Sequence, residues 1–208
     1  MKDILNPPIG LFGVGDGQSG ISAFLQHHLV GVGTHFFAIG YSQGCNFNIP
    51  CVFESDQRVG YALWSSYISD TKYNMRLYSL IGATEQEIKH ALDYCIKEFL
   101  GLSYGYTQWL WFPYHMFCEK ILRLKNVDKQ KNWFKNWIVK GMVCDELFWW
   151  LALAVSNCDP QKWAGLRLIL DQYNPDALTS RDVWKILESN PKYFKLEFER
   201  MDEVLKSY

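Results

Sequence analysis

Cys144 stands at the head of an apolar run, Gly141 to Ala154, that has the length and composition of a buried helix. The first N–H groups of a helix are unpaired and carry partial positive charge. A sulfur placed there is stabilised as thiolate, the form that attacks carbonyl carbon. Such a thiol needs a base, and the base needs a group that orients it. His35 lies in Thr34 to Tyr41, a segment of β-formers, and Glu54 closes the next apolar run, Cys51-Val52-Phe53. If these two strands pair across the turn residues 42–49, Glu54 reaches one imidazole nitrogen and the other faces the sulfur. Plainer roles exist for the same residue types. A lone strand histidine is commonly structural, and most cysteines are small buried hydrophobes. That second description is the one applied to Cys45, Cys51, Cys95, Cys118 and Cys158.

Other candidate chemistry is weaker. Gly15-Asp16-Gly17-Gln18-Ser19-Gly20 matches G-x-G-x-x-G, but the acid expected about 20 positions on is missing. The segment reads as a turn feeding a helix. His27 and His28 are adjacent and face different sides of a helix, whereas His115 and Cys118 could share one. No C-x-x-C or H-E-x-x-H is present, so no metal or other cofactor is expected. Residues 118–140 hold seven of the 21 basic residues, with Trp133, Phe134 and Trp137 interleaved. Such a run is commonly a solvated helix face. Its functional alternative is aromatic stacking on a sugar or base flanked by lysines.

The elements that must position these groups can be read along the chain. Residues 9–20 predict a short strand and a glycine loop, Ile21 to Val30 a short helix, and Thr34 to Tyr41 and Pro50 to Ser55 two buried strands. Residues 72–80 alternate as a third strand. The best-defined helix covers 85–100, with Thr84 and Glu87 as a capping box and Gly101 as the residue that ends it. A helix from Cys144 to about Asn157 follows, then a turn at Asn174-Pro175, a helix of about 181–188 capped by Ser180, and a tail that is partly extended and partly helical.

The chain's 208 residues, 49% apolar and 16% aromatic, suffice for one large core, and a single domain over 1–208 is expected. A net charge of -1 offers no global field for nucleic acid. The N-terminal residues lack the apolar stretch of a signal peptide, and the longest apolar run, Leu147 to Val155, is short of a bilayer span. These features predict a protein cytoplasmic at synthesis, with no transmembrane segment and reduced thiols.

The order of residues resembles the circularly permuted NlpC-type cysteine peptidases and amidases, papain-like proteins in which the histidine precedes the cysteine. Their histidine strand commonly reads Ser-His-Val-Gly-Ile, against Thr34-His35-Phe36-Phe37-Ala38-Ile39 in this chain. Glu54-Ser55 is similar to the acid that ends the following strand, Arg76 to an arginine on a later strand, and Gly101-Leu102-Ser103-Tyr104 to a Gly-x-x-Tyr motif. Cys144-Asp145-Glu146-Leu147 is similar to a Cys-Ser-Glu-Leu nucleophile motif, and Leu178 to Asp182 matches weakly downstream.

The resemblance implies an α+β papain-like, NlpC-type fold in permuted order, an antiparallel sheet packed against helices, with 112–140 as a basic aromatic helical insertion. It implies a cysteine hydrolase (a peptidase or amidase) or acyltransferase acting on a peptide, amide or acyl substrate such as a cell-wall peptide. Catalysis would use Cys144, His35, Glu54 and, for the oxyanion, Tyr104. A phage origin would fit, with the protein virion-associated or released by lysis. Asp145 stands where the family carries a serine, and its charge would raise the cysteine pKa. Gly105 replaces the usual acid after Tyr104. The alternative is a catalytically weak or inactive binding module on the same scaffold, for example a phage accessory protein.

Overall fold

The structure, a computed structural model, describes residues 5–15, 35–41, 49–55, 58–70, 73–103, 144–175, 178 and 180–200. These form an α+β protein with a six-stranded antiparallel sheet and, among the described residues, five helices. The strands are β1 (Phe12–Gly15), β2 (His35–Tyr41), β3 (Pro50–Ser55), β4 (Val59–Leu63), β5 (Met75–Leu80) and β6 (Phe194–Arg200). The helices are α1 (Trp64–Ser69), α2 (Glu85–Phe99), α3 (Cys144–Cys158), α4 (Ala164–Leu170) and α5 (Ser180–Ser189). The sheet order is β4-β3-β2-β1-β5-β6, so the glycine-rich β1 lies inside the sheet.

Two apolar layers follow from the alternation of side chains along each strand. On one face Phe12, Val14, Phe36, Ala38, Phe53, Tyr78 and Leu80 meet α2, α3 and α5. On the other, Leu11, Phe37, Ile39, Val52, Met75 and Leu77 meet Trp64, Tyr67 and Tyr73. α3 is apolar on almost every side, as a helix enclosed between a sheet and other helices must be. Phe148 anchors it, its ring 5.2 Å from Phe36 and 5.9 Å from Phe12. α2 begins as expected: Thr84 accepts from the Glu87 N–H, and the Glu87 carboxylate accepts from the Thr84 N–H. Glu87 also accepts from Lys162 and from the Trp163 indole, which ties the start of α2 to the approach to α4.

Several expectations need correction. β4, α1 and α4 were not foreseen, because each is short and its apolar pattern covers little more than one helical turn or two strand repeats. The strand expected over 72–80 begins only at Met75. Cys158 is exposed at the end of α3, whereas Cys51 and Cys95 are buried as expected. Cys45, Cys118, the helix at 21–30, residues 16–20 of the glycine loop and the basic segment 118–140 lie outside the described residues. Among the described residues no helix is long and apolar enough to cross a membrane.

Gly13 is fixed by packing. A Cβ built on it would lie 2.0 Å from the Phe37 ring, which covers this strand position from the adjacent β2. Gly13→Ala should therefore lower stability by about 1–3 kcal/mol in denaturant unfolding, the usual cost of overpacking. An unchanged midpoint would show that the ring yields without cost.

Candidate functional site

β2 and β3 pair antiparallel with Phe37 opposite Glu54. His35 is two residues before Phe37 and so projects from the same face as Glu54, one diagonal step away. The geometry brings the two side chains together: His35 Nε2 donates to Glu54 Oε2 at 2.5 Å. The remaining nitrogen, Nδ1, is left for the sulfur. α3 packs across β2 and begins at Cys144, whose thiol hydrogen-bonds with the His35 side chain and with the Phe36 backbone. Three residues separated by up to 109 positions thus share one site at the N-terminal end of α3.

The protonation preferences follow from burial and from these contacts. Burial alone would lower the His35 pKa, but its hydrogen bonds to Cys144 and Glu54 outweigh burial and hold it well above the ordinary histidine value. Burial would raise the Glu54 pKa, but the hydrogen bond and charge of His35, with a further hydrogen bond from Tyr67, bring it below the usual carboxylate range. His35 and Glu54 therefore form an imidazolium–carboxylate pair. Cys144 is 2% exposed. Burial and then the charge of Asp145 push its thiol up, and His35 opposes them only in part.

Asp145 is the next residue of α3 and is itself buried, 6% exposed. Its Oδ2 accepts from the Ser180 hydroxyl at 3.0 Å. Its Oδ1 has no hydrogen-bond partner among the described residues. Burial, supported by the charge of Asp182 and opposed by Ser180, His35 and Cys144, pushes this carboxyl up to about 7. A group that titrates near neutrality therefore adjoins the sulfur. Ser180, expected to cap a helix beginning at about 181, is itself the first residue of α5 and donates its hydroxyl to Asp145.

The other sequence candidates are placed as follows. Arg76 binds Glu199 at 2.5 Å and Glu188 at 2.9 Å and lies over the Trp184 ring, so it ties β5 to β6 and α5. Trp149 donates its indole N–H to Leu170 O and packs towards α4. Tyr104 and Gly105 lie outside the described residues. Among those residues no group of three or more His, Cys, Asp or Glu side chains could hold a metal ion. One residue that sequence reasoning missed is Tyr67, whose hydroxyl donates to Glu54 Oε2. The only local signal was Trp64-x-x-Tyr67, a spacing that puts two rings on one side of a helix turn.

Neither a scan of protein-family models nor a search of curated proteins finds a match. Among solved structures, the crystal structure of metalloprotein yiiX from Escherichia coli O157:H7 superposes with a TM-score of 0.48. It shares 16% sequence identity, covering 74% of this chain and 68% of that one. The functional conclusion therefore rests on the geometry of the site.

The Asp145 carboxyl gives two expectations with one sign. Its folded pKa, about 7, exceeds the ordinary ~3.9 of an unfolded aspartate. The folded state therefore binds the extra proton, and this contribution to stability is complete below about pH 4 and lost as the pH rises through about 7. Asp145→Asn should flatten that part of the stability–pH curve, measured by denaturant unfolding. It should also move the midpoint of Cys144 alkylation with iodoacetamide to lower pH. A midpoint that stays in place would mean that Asp145 does not control the sulfur.

Proposed function

We propose that this protein is a cysteine hydrolase that forms a thioester acyl-enzyme on Cys144, built on a papain-like, NlpC-type scaffold in permuted order. One observation carries this: a histidine whose Nε2 is held by a buried glutamate at 2.5 Å also hydrogen-bonds with a cysteine that opens a helix. That is a nucleophile, a base and an orienter in sequence.

In the reaction, the neutral form of His35, its Nε2–H held by Glu54, takes the thiol proton and Cys144 Sγ attacks the carbonyl carbon of an amide or ester. The tetrahedral oxyanion forms beside the first N–H groups of α3, where the helix end favours negative charge. His35 then protonates the leaving amine or alcohol, and the carbon–heteroatom bond breaks to give the thioester. Water, deprotonated by His35, attacks the thioester and releases the acid and the thiol. Glu54 holds the imidazole in register throughout and balances its positive charge. The resemblance of the motifs adds peptides, cell-wall peptides among them, as the substrate class and the Tyr104 hydroxyl as a second oxyanion donor. A cell-wall substrate would be reached by release on lysis or from a virion.

A weakly active or inactive binding module is favoured by a specific observation as well. The sulfur is buried, and burial and Asp145 both push its pKa up.

The two differ in acylation. With an activated acyl ester, the wild-type protein should gain one acyl group at Cys144, seen by peptide mass spectrometry and released by hydroxylamine. Cys144→Ala should gain none, and His35→Ala should acylate about 10²-fold or more slowly. A wild-type protein that stays unacylated would leave the binding module as the account.

A further inference from the structure

The orienting carboxylate receives two hydrogen bonds on the same oxygen. His35 Nε2 donates to Glu54 Oε2, and so does the Tyr67 hydroxyl, from the helix that covers the same face of the sheet. Tyr67 belongs to α1, a helix of only six residues. A helix so short has little stability of its own. It is held from outside. The Tyr67 ring is stacked with Trp64, meets Tyr73 edge-on at 5.1 Å and leans on Phe37 at 5.0 Å. The backbone of the same helix is held by Arg200, the last described residue of β6. Its Nη2 donates to Tyr67 O at 2.7 Å, its Nη1 to Ile68 O at 3.1 Å and its Nε to Tyr73 O at 2.8 Å. These carbonyls belong to the last turn of α1 and to the segment after it, where carbonyl groups lack helical partners. A guanidinium with five fixed donors suits such a cluster.

We propose that Tyr67, with Arg200 behind it, is a positioning residue of the Cys144 site: its hydroxyl holds Glu54 as a carboxylate in one orientation, so that the shared proton rests on His35 and not on Glu54. This rests on the assignment of Cys144 and His35 as nucleophile and base. The chemical logic is a competition for one lone-pair oxygen. An oxygen that already accepts from a phenol is a weaker base towards the imidazolium. The Nε2 proton then stays on the ring, and the proton that the ring later gives to the leaving group is the one carried by its other nitrogen. The ring of Tyr67 is packed by its aromatic neighbours without any help from the hydroxyl. A purely structural role would therefore leave the titration of Glu54 unchanged when the hydroxyl is removed.

The experiment is carbon-13 NMR titration of the Glu54 carboxyl in wild type and Tyr67→Phe, alongside the pH profile of acylation at Cys144. Tyr67→Phe should move the Glu54 midpoint up by about one pH unit, the effect of one lost charge-assisted hydrogen bond. The acid limb of acylation should move up with it. Because a buried glutamate with one donor fewer can compromise folding, a second variant carries 3-fluorotyrosine at position 67. Its more acidic phenol donates more strongly and should move the midpoint the opposite way. A folded Tyr67→Phe protein with the wild-type Glu54 midpoint would overturn the proposal, as would a fluorotyrosine protein that shifts upward. If the Glu54 shifts occur but wild-type Cys144 is never acylated, the hold of Tyr67 on Glu54 stands and the nucleophile assignment fails.

Discussion

The buried carboxylate of Glu54 is the interaction on which the site depends. At 9% exposure it has lost most of its hydration, and a charge in that position is tolerated only when it is paired and hydrogen-bonded. Its two donors come from different parts of the fold. His35 arrives through the register of β2 on β3, and Tyr67 through the placement of α1 against the outer face of the sheet. A one-residue slip between β2 and β3 would turn Glu54 to the α3 side and leave the imidazole without its partner. The strand register and the electrostatics of the site are therefore one constraint.

The helix side of the sheet imposes a second constraint. α3 must present Cys144 at the open end of β2, and its position is set by apolar packing along its whole length. Phe148 lies among Phe12, Phe36 and Phe194, and Trp150 meets Phe99 of α2 at 5.5 Å. The same enclosure buries the sulfur and the Asp145 carboxyl. Burial that fixes the geometry of the nucleophile also raises its pKa, and His35, with the Phe36 backbone, counters this in part. The site thus balances a rigid, dry placement against the ease of forming a thiolate. Asp145, titrating near neutrality, is the residue that shifts the balance with pH.

Much of this was legible in the sequence because it is local. The capping box at Thr84 and Glu87, the apolar stripe of α2, the strand from Pro50 to Ser55 and the start of an apolar helix at Cys144 all depend on neighbours within a few positions. The convergence of His35 and Glu54 could also be anticipated, since it needs only two consecutive strands and alternation. β4, α1 and α4 were not legible, because such short elements are stabilised by what they pack against and carry little periodic signal. Ser180 shows the same limit in one residue. Its position beside a helix suggested a cap, and only the approach of α5 to α3 gives its hydroxyl to Asp145.

By itself the sequence determined the kinds of group available and their local settings: a thiol at a helix start, an imidazole on an apolar strand, a carboxylate at a strand end. The tertiary structure decided which of them meet and in what charge state. Tyr67 reaches Glu54 because the sheet and α1 form two layers, and Arg200 reaches α1 from 133 positions away in the chain. Contacts of that kind are set by strand order and packing, which hydrophobic periodicity constrains but does not specify. The pKa values of the site follow from the same source, since burial and paired charges exist only after the layers have closed.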